Sequence, residues 1–299
     1  MKDAGSTLVV GATGLLGSEI VRLLLNTQTS IRAVVREGNN SNRVSTLRRQ
    51  GVETVTADLK DSASLAIACR GVRSVISTAT AVASLQDGDS IETVDELGQL
   101  ALIEAAEMAG VDRFVFISFP PTELDFALQR AKRKIEARLH ASRMSYSVFQ
   151  AVDFAEVWLS PIVGFDLANG KVTIFGDGNH PVSWVSVRDV ARFAVAALES
   201  ECFRNRVVQV GGPDPLSPLQ VIEIFRQLGG TEVVVGYVSE SDLHVRLESA
   251  TNWREEAFAA TMLSTAKGQV VDVNLALELL PGRLVTVRDY INHLMEKSN

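Results

Sequence analysis

The chain has 299 residues, 46% of them hydrophobic, and carries 29 basic against 36 acidic side chains for a net charge of −7. That length can bury a sizeable core as one large α/β unit or two joined lobes, while the acidic balance repels polyphosphate backbones and argues against nucleic-acid binding. No apolar run reaches the roughly 18–20 residues of a membrane span, no signal peptide is expected, and two distant cysteines, Cys69 and Cys202, suggest neither a disulfide framework nor a zinc site, so a soluble cytoplasmic protein is expected.

Short, mostly apolar runs at 7–10, 31–35, 52–56, 74–77, 113–118 and 145–150 predict strands buried on both faces. Helical patterns near 15–26, 43–50, 62–70, 91–109 and 124–142 lie between them. This alternation predicts right-handed βαβ crossovers and a doubly wound parallel sheet of Rossmann type. The pattern changes after about residue 150. A short helix at 153–160 carries Phe154 and Trp158, and a strand at 171–175 sits among Gly- and Asn-rich turns. Ser186-Val187-Arg188-Asp189 opens a helix to about 200, and Thr286-Val287-Arg288-Asp289 repeats that capping signature. Ser217-Pro218 starts another helix, with Pro in its first turn. The run 206–210 is expected as a late strand of the main sheet. No repeat or linker intervenes, so the C-terminal part is expected as a smaller α+β lobe. The expected domains are 1–150 plus about 186–212 for a dinucleotide, and 151–185 with 213–299 for a substrate.

Gly11-x-x-Gly14-x-x-Gly17 follows the first strand and opens the first helix. A helix N-terminus offers unpaired amides and a positive dipole end to a pyrophosphate. Gly11 allows the tight turn, Gly14 close approach of the phosphate, and Gly17 close packing of helix on strand. Thr13, Leu15 and Leu16 complete this cofactor loop. The second strand ends in Arg36, where an acid would select NAD; an arginine accommodates the 2′-phosphate of NADP(H). Asp58, followed by Leu59, ends the third strand, where it could meet the adenine amino group. Thr78 and Ala79 follow the fourth strand and are expected near the cofactor too. The four histidines show no ligand spacing, and no metal is expected.

These segments resemble the NmrA-like group of atypical short-chain dehydrogenases/reductases. Val9-Val10-Gly11-Ala12-Thr13-Gly14 is similar to the group's opening motif, Ala57-Asp58-Leu59 to its third-strand motif, and Ala105-Ala106-Glu107-Met108-Ala109-Gly110-Val111-Asp112-Arg113-Phe114-Val115 to its fourth-helix-to-fifth-strand stretch. Lys132-x-x-x-Glu136-x-x-Leu139 with Tyr146-Ser147-Val148 resembles its lysine helix and sixth strand, and Trp184-Val185-Ser186-Val187-Arg188-Asp189-Val190-Ala191 a late motif. The resemblance implies an NADP(H)-binding protein with Lys132, chosen over Lys134 by its spacing to Glu136, beside the nicotinamide ribose.

Conventional members of the superfamily place a general-acid tyrosine four residues before that lysine. Leu128 stands there, and only Tyr146, Tyr237 and Tyr290 occur in the chain. The resemblance then implies reduction of a small, aromatic or quinone-like electrophile that needs little acid help, with Ser118 touching the substrate or nicotinamide. Phe119, Phe154 and Trp158 are candidate substrate contacts. The alternative is a non-catalytic NADP(H) sensor that reports to a protein partner. A sugar-nucleotide epimerase ranks last, because it too depends on the tyrosine.

Overall fold

In a computed structural model, residues 6–298 are described except 28, 40 and 85; the polar N-terminal residues 1–5 lie outside the described residues. Two compact units are present. The first comprises 1–118, 127–149 and 191–208; the second comprises 119–126, 150–190 and 209–299.

The first unit is built on a parallel sheet. Its strands are β1 (Ser6–Val10), β2 (Ile31–Val35), β3 (Glu53–Thr56), β4 (Val72–Ser77), β5 (Arg113–Ser118), β6 (Ser145–Ala151) and β9 (Arg206–Val210). Their order is β3-β2-β1-β4-β5-β6-β9. The order reverses between β1 and β4, which makes the carboxyl end of β1 the switch point where such sheets take ligands. Central strands are largely buried because helices cover both faces: every residue of β5 is buried, Arg113 and Ser118 included, whereas the edge strand β3 has none buried.

The helices of this unit carry one apolar stripe each. In α1 (Leu15–Leu24), Leu16, Ile20, Val21 and Leu24 are buried. Helices α2 (Asn42–Arg49) and α3 (Ser62–Ala68) follow β2 and β3. In α5 (Ala127–His140), the buried stripe is Leu128, Ala131, Lys132, Ile135 and Leu139, the helical period with a lysine inside it. The helix expected over 124–142 begins only at Ala127. The one expected over 91–109 differs in kind: Ile91–Gly98 is π-helical and only α4 (Gln99–Met108) is α. A Cβ at Gly98 would lie 2.7 Å from Leu59 Cβ and 2.8 Å from the Thr93 carbonyl, so this turn fits closely against Leu59 only as glycine.

The second unit holds a three-stranded sheet, β10-β8-β7, of β7 (Phe165–Asp166), β8 (Lys171–Phe175) and β10 (Val234–Val238). β8 pairs parallel with β10 and antiparallel with β7. Its core gathers Phe165, Ile174, Trp184, Phe225 and Ile291. Ser217 caps α8 (Pro218–Gln227) through a reciprocal box with Gln220, and Thr286 and Asp289 cap α12 (Val287–Ser298) by the same exchange. The helix expected over 153–160 shrinks to α6 (Ala155–Trp158). Phe154 precedes it in extended backbone, because Asp153 O and Ala155 N pair with Val185. α7 (Val187–Ala196) is present as expected; β10, α9 (Glu240–Glu248), α10 (Trp253–Ala266) and α11 (Asn274–Leu279) are elements the sequence reading did not place.

Candidate functional site

The glycine loop has the shape of a phosphate cradle. Gly11 sits at φ +87°, and a Cβ there would lie 2.5 Å from Thr78 Oγ1; a Cβ on Gly17 would lie 2.1 Å from the Gly11 carbonyl. Both glycines are therefore obligatory for the close approach of the helix to β1 and β4. Gly14 differs. Its own Cβ would meet only the Gly11 carbonyl, at 3.2 Å, and the residue is exposed. It caps α1 with no side-chain hydrogen bond, and no acid stands in the first turn. The first-turn amides of Leu15, Leu16 and Gly17 have no carbonyl behind them to bond, so they are open to an anion. Thr78 closes the back of the loop through its amide, at 3.0 Å from Val10 O, and its hydroxyl, at 3.2 Å.

Arg36, just after β2, does not stand alone in solvent. Its Nη1 donates to Asp89 Oδ2 at 2.6 Å. Lys60 and Ser84 also bond to the same carboxylate, whose side chain is 1% exposed. Burial pushes the Asp89 carboxyl up, but the hydrogen bonds from Lys60, Ser84 and Arg36 outweigh it and hold it below the usual range. Lys60 also lies 4.0 Å from Asp58 Oδ2, so two cations and two carboxylates meet at the carboxyl ends of β2 and β3. Arg43 donates to Thr13 O at 2.6 Å, tying α2 to the glycine loop. The Asp58 carboxylate, 32% exposed, accepts from Lys60 N at 2.8 Å, while Asp61 takes the cap of α3. Leu59 is buried, against Gly98.

Lys132 is the sealed lysine of α5. Its side chain is 8% exposed, and its Nζ lies 3.3 Å from Asp95 Oδ1 and 4.9 Å from the centre of the Phe116 ring. Lys134, by contrast, is 55% exposed and pairs with Glu96. Asp95 projects from the π-helical turn, a form that often marks functional sites. Its Oδ2 accepts from Ala81 N at 2.8 Å. Gln99 accepts from Ser77 Oγ at 2.8 Å and donates to Ala79 O at 3.2 Å. The loop after β4, with Thr78 and Ala79, is thus pinned by the same helix that holds the lysine's counter-ion.

Ser118 ends β5 and is 5% exposed; Arg133 Nη2 donates to its Oγ at 2.8 Å and pairs with Glu136 at 2.8 Å. Burial lowers the Arg133 pKa, opposed by the Glu136 charge. No tyrosine precedes Lys132 on its helix: Leu128 is buried one turn before it, and Tyr146 is buried in β6. In the second unit, Tyr290 donates to Leu159 O at 2.9 Å and burial pushes its pKa to about 12.

Among the candidate substrate contacts, all in the second unit, Phe119 stacks on Phe126 with ring centres 6.0 Å apart. Trp158 packs edge-on against Phe175 at 6.2 Å, so much of its surface is spent in that unit's core. Phe154 is half-buried at the start of α6. Among the described residues, no group of three or more His, Cys, Asp or Glu side chains could hold a metal ion, and no helix is long and apolar enough to cross a membrane.

Asp95, Asp89, Lys60 and Arg133 are site features the sequence reading missed. Arg133 lies in the basic run of Arg130, Lys132, Lys134 and Arg138, which by pattern alone reads as a solvated helix face. Its neighbour Lys132 carried a usable signal, since it falls on the apolar stripe of Leu128, Ala131, Ile135 and Leu139. Asp89 and Lys60 meet Arg36 only through tertiary folding, which no local pattern announces.

The NmrA-like family model matches residues 4–279. The chain is 30% identical over 235 residues to the photosystem II assembly factor Ycf39 of Trieres chinensis, covering 78% of this chain and 72% of that protein. It is also 30% identical over 228 residues to an NAD(P)H azoreductase of Xenophilus azovorans, covering 76% and 74%. Among solved structures, the triphenylmethane reductase of Citrobacter sp. complexed with NADP(H) superposes with a TM-score of 0.77 at 22% identity, over 96% of this chain and 99% of that one.

Proposed function

The chain belongs to the NmrA-like family, and from that premise we propose that it is an NADPH-dependent reductase of a small electrophilic, aromatic or quinone-like acceptor. The observation that carries this reading is an open helix N-terminus at the switch point of the sheet, in the same unit as a buried lysine with no tyrosine before it.

The residues present fit a dinucleotide. Gly11, Thr13, Gly14 and Gly17, with the amides of Leu15 and Leu16, would hold the pyrophosphate at the positive end of α1. Arg36, joined by Lys60, would take the 2′-phosphate, and Asp58 and Leu59 would flank the adenine. Thr78, Ala79 and Lys132 would hold the nicotinamide half. Bound there, the nicotinamide supplies a hydride. The protein's part is then positioning: Asp95 fixes the lysine, Gln99 fixes the loop of Ala79, and Ser118 offers a hydroxyl. Phe119, Phe154 and Trp158 are the apolar residues of the second unit read as substrate contacts. The same reading keeps the protein in a reducing, cytoplasmic compartment, supported by two free cysteines.

The test is NADPH consumption by the purified protein with quinones, enones, azo dyes and triphenylmethane dyes, alongside Lys132→Ala. Oxidation that falls at least tenfold in the variant is the expected outcome. NADPH binding without turnover on any acceptor would favour a second reading, a dinucleotide-binding assembly or regulatory protein. The similarity to Ycf39 supports that alternative.

A further inference from the structure

A quinone or enone that accepts hydride leaves a full negative charge on its oxygen. With leucine in place of the tyrosine four residues before Lys132, something else must meet that charge in a carbonyl reductase. We propose that Ser118 donates a hydrogen bond to the acceptor's oxygen, and that Arg133 is the positioning residue that orients and polarises this serine, so that the site favours carbonyl acceptors over cationic ones. The proposal rests on the reductase reading above.

Three observations support it. First, Ser118 ends β5 at the sheet edge that carries the glycine loop. β1, β4 and β5 run parallel in register, with Val10 opposite Ser77 and Ser77 opposite Phe116. Ile117 is therefore level with Gly11 and Thr78, and Ser118 stands one residue further out at the same carboxyl ends of adjacent strands, where such sheets bind ligands. Second, the direction of the hydrogen bond matters. Arg133 donates, so Ser118 Oγ accepts, and the hydroxyl hydrogen is left to point elsewhere. No described residue accepts it, although Ser118 is 5% exposed. A serine at a strand end usually spends that hydrogen on a nearby carbonyl. Third, the donor is a guanidinium that keeps its charge at any working pH. Glu136 neutralises it in part, at 2.8 Å from the same nitrogen. The Arg133 side chain is 28% exposed, so the pair acts in a partly dried environment where its dipole is worth more than in water.

The chemistry balances. Hydride leaves the dihydronicotinamide, which becomes the oxidised dinucleotide, and a new bond forms at the acceptor: C–H at the β-carbon of an enone, or O–H at one oxygen of a quinone. The acceptor's π pair moves onto oxygen, giving a phenolate or enolate that Ser118 holds by a hydrogen bond. A proton from water then completes the reduced product. A triphenylmethane cation is different: hydride neutralises it, no oxygen anion forms, and the pair has nothing to stabilise.

The experiment compares wild type with Arg133→Met, Arg133→Lys and Ser118→Ala. Turnover is measured on a benzoquinone and on a cationic triphenylmethane dye, and NADPH binding by fluorescence titration. The expected result is a fall of about ten- to a hundredfold in the ratio of quinone kcat to dye kcat for Arg133→Met and Ser118→Ala, the range of a lost oxyanion donor or somewhat less. Arg133→Lys should recover part of it. A second readout needs no turnover: para-nitrophenol is titrated spectroscopically in NADP+-saturated protein. Its ionisation should fall to lower pH in wild type and return towards the free value in Arg133→Met. Equal losses on both acceptors would overturn the proposal, as would an unshifted nitrophenol or one that fails to bind. If wild type turns over neither these two nor the enones and azo dyes of the wider panel, the reductase reading fails. A nitrophenol shift that Arg133→Met abolishes would still uphold the pair.

Discussion

Asp89 and Asp95 are close in sequence and both buried, at 1% and 0% side-chain exposure, yet they are buried in opposite ways. Asp89 gathers Arg36, Lys60 and Ser84, and its two cations keep 34% and 29% of their side chains in contact with solvent. Asp95 has a backbone amide on one oxygen and Lys132 near the other, and that lysine is 8% exposed. Asp95 Oδ1 lies 3.3 Å from the ammonium without forming a hydrogen bond. The first is a node whose members can turn to water if it is cut. The second is a sealed pair whose survivor cannot. What decides the role of a buried acid is the escape route of its partner.

Breaking the sealed pair should have the largest effect. Asp95→Ala strands a buried ammonium and should cost about 3–5 kcal/mol in urea unfolding. Asp95→Ala with Lys132→Met should recover much of that loss, because both charges leave together. A single-variant loss under about 1 kcal/mol would show that Lys132 finds water after all. Asp89→Ala should be milder, about 1–3 kcal/mol, the range for lost hydrogen bonds to a charged group. It should nonetheless alter NADPH affinity, since Arg36 and Lys60 lose the group that holds them together.

A third acid, Asp153 in the second unit, sharpens the comparison because it has no cation at all. Thr265 Oγ1 donates to its Oδ2 at 2.6 Å. Desolvation raises its pKa from 3.8 to about 7, against the lowering effect of that hydrogen bond. The folded form therefore holds a proton that the unfolded form releases near pH 3.8. Its stabilisation is complete below that value, declines as pH rises, and is gone above about 7. Asp153→Asn should flatten this slope, read as urea midpoints across that window; an unchanged slope would assign the pH dependence elsewhere. Smallest of all, Asp61→Ala removes an exposed cap of α3 and should cost about 1 kcal/mol.

The legible and illegible parts of the molecule divide along the same physics. The βαβ half showed itself through buried strands and one-sided helices, whose periods are local. The glycine loop was legible because its three glycines keep a fixed spacing, two of them answering to the Gly11 carbonyl within the same turn. The second unit was read only in part: α9 and α10 have mixed faces, and β10 is an edge strand with Val234 75% and Tyr237 56% exposed, so none carries a clean period. Phe154 was assigned to a helix it only precedes, because its pairing partner Val185 is remote in sequence. Arg133 was hidden by its neighbours: among so many basic side chains, only the fold distinguishes the one that meets Ser118.

The π-helical turn from Ile91 to Gly98 sets the lysine's counter-ion by chain length as well as by side chain. Each residue of an α-helix advances the chain by about 100°, so losing one residue between Asp95 and α4 would swing the aspartate about a quarter-turn away from Lys132. No site residue would have changed. A one-residue deletion between Asp95 and Gln99 therefore removes the lysine's counter-ion while every named side chain stays in the chain.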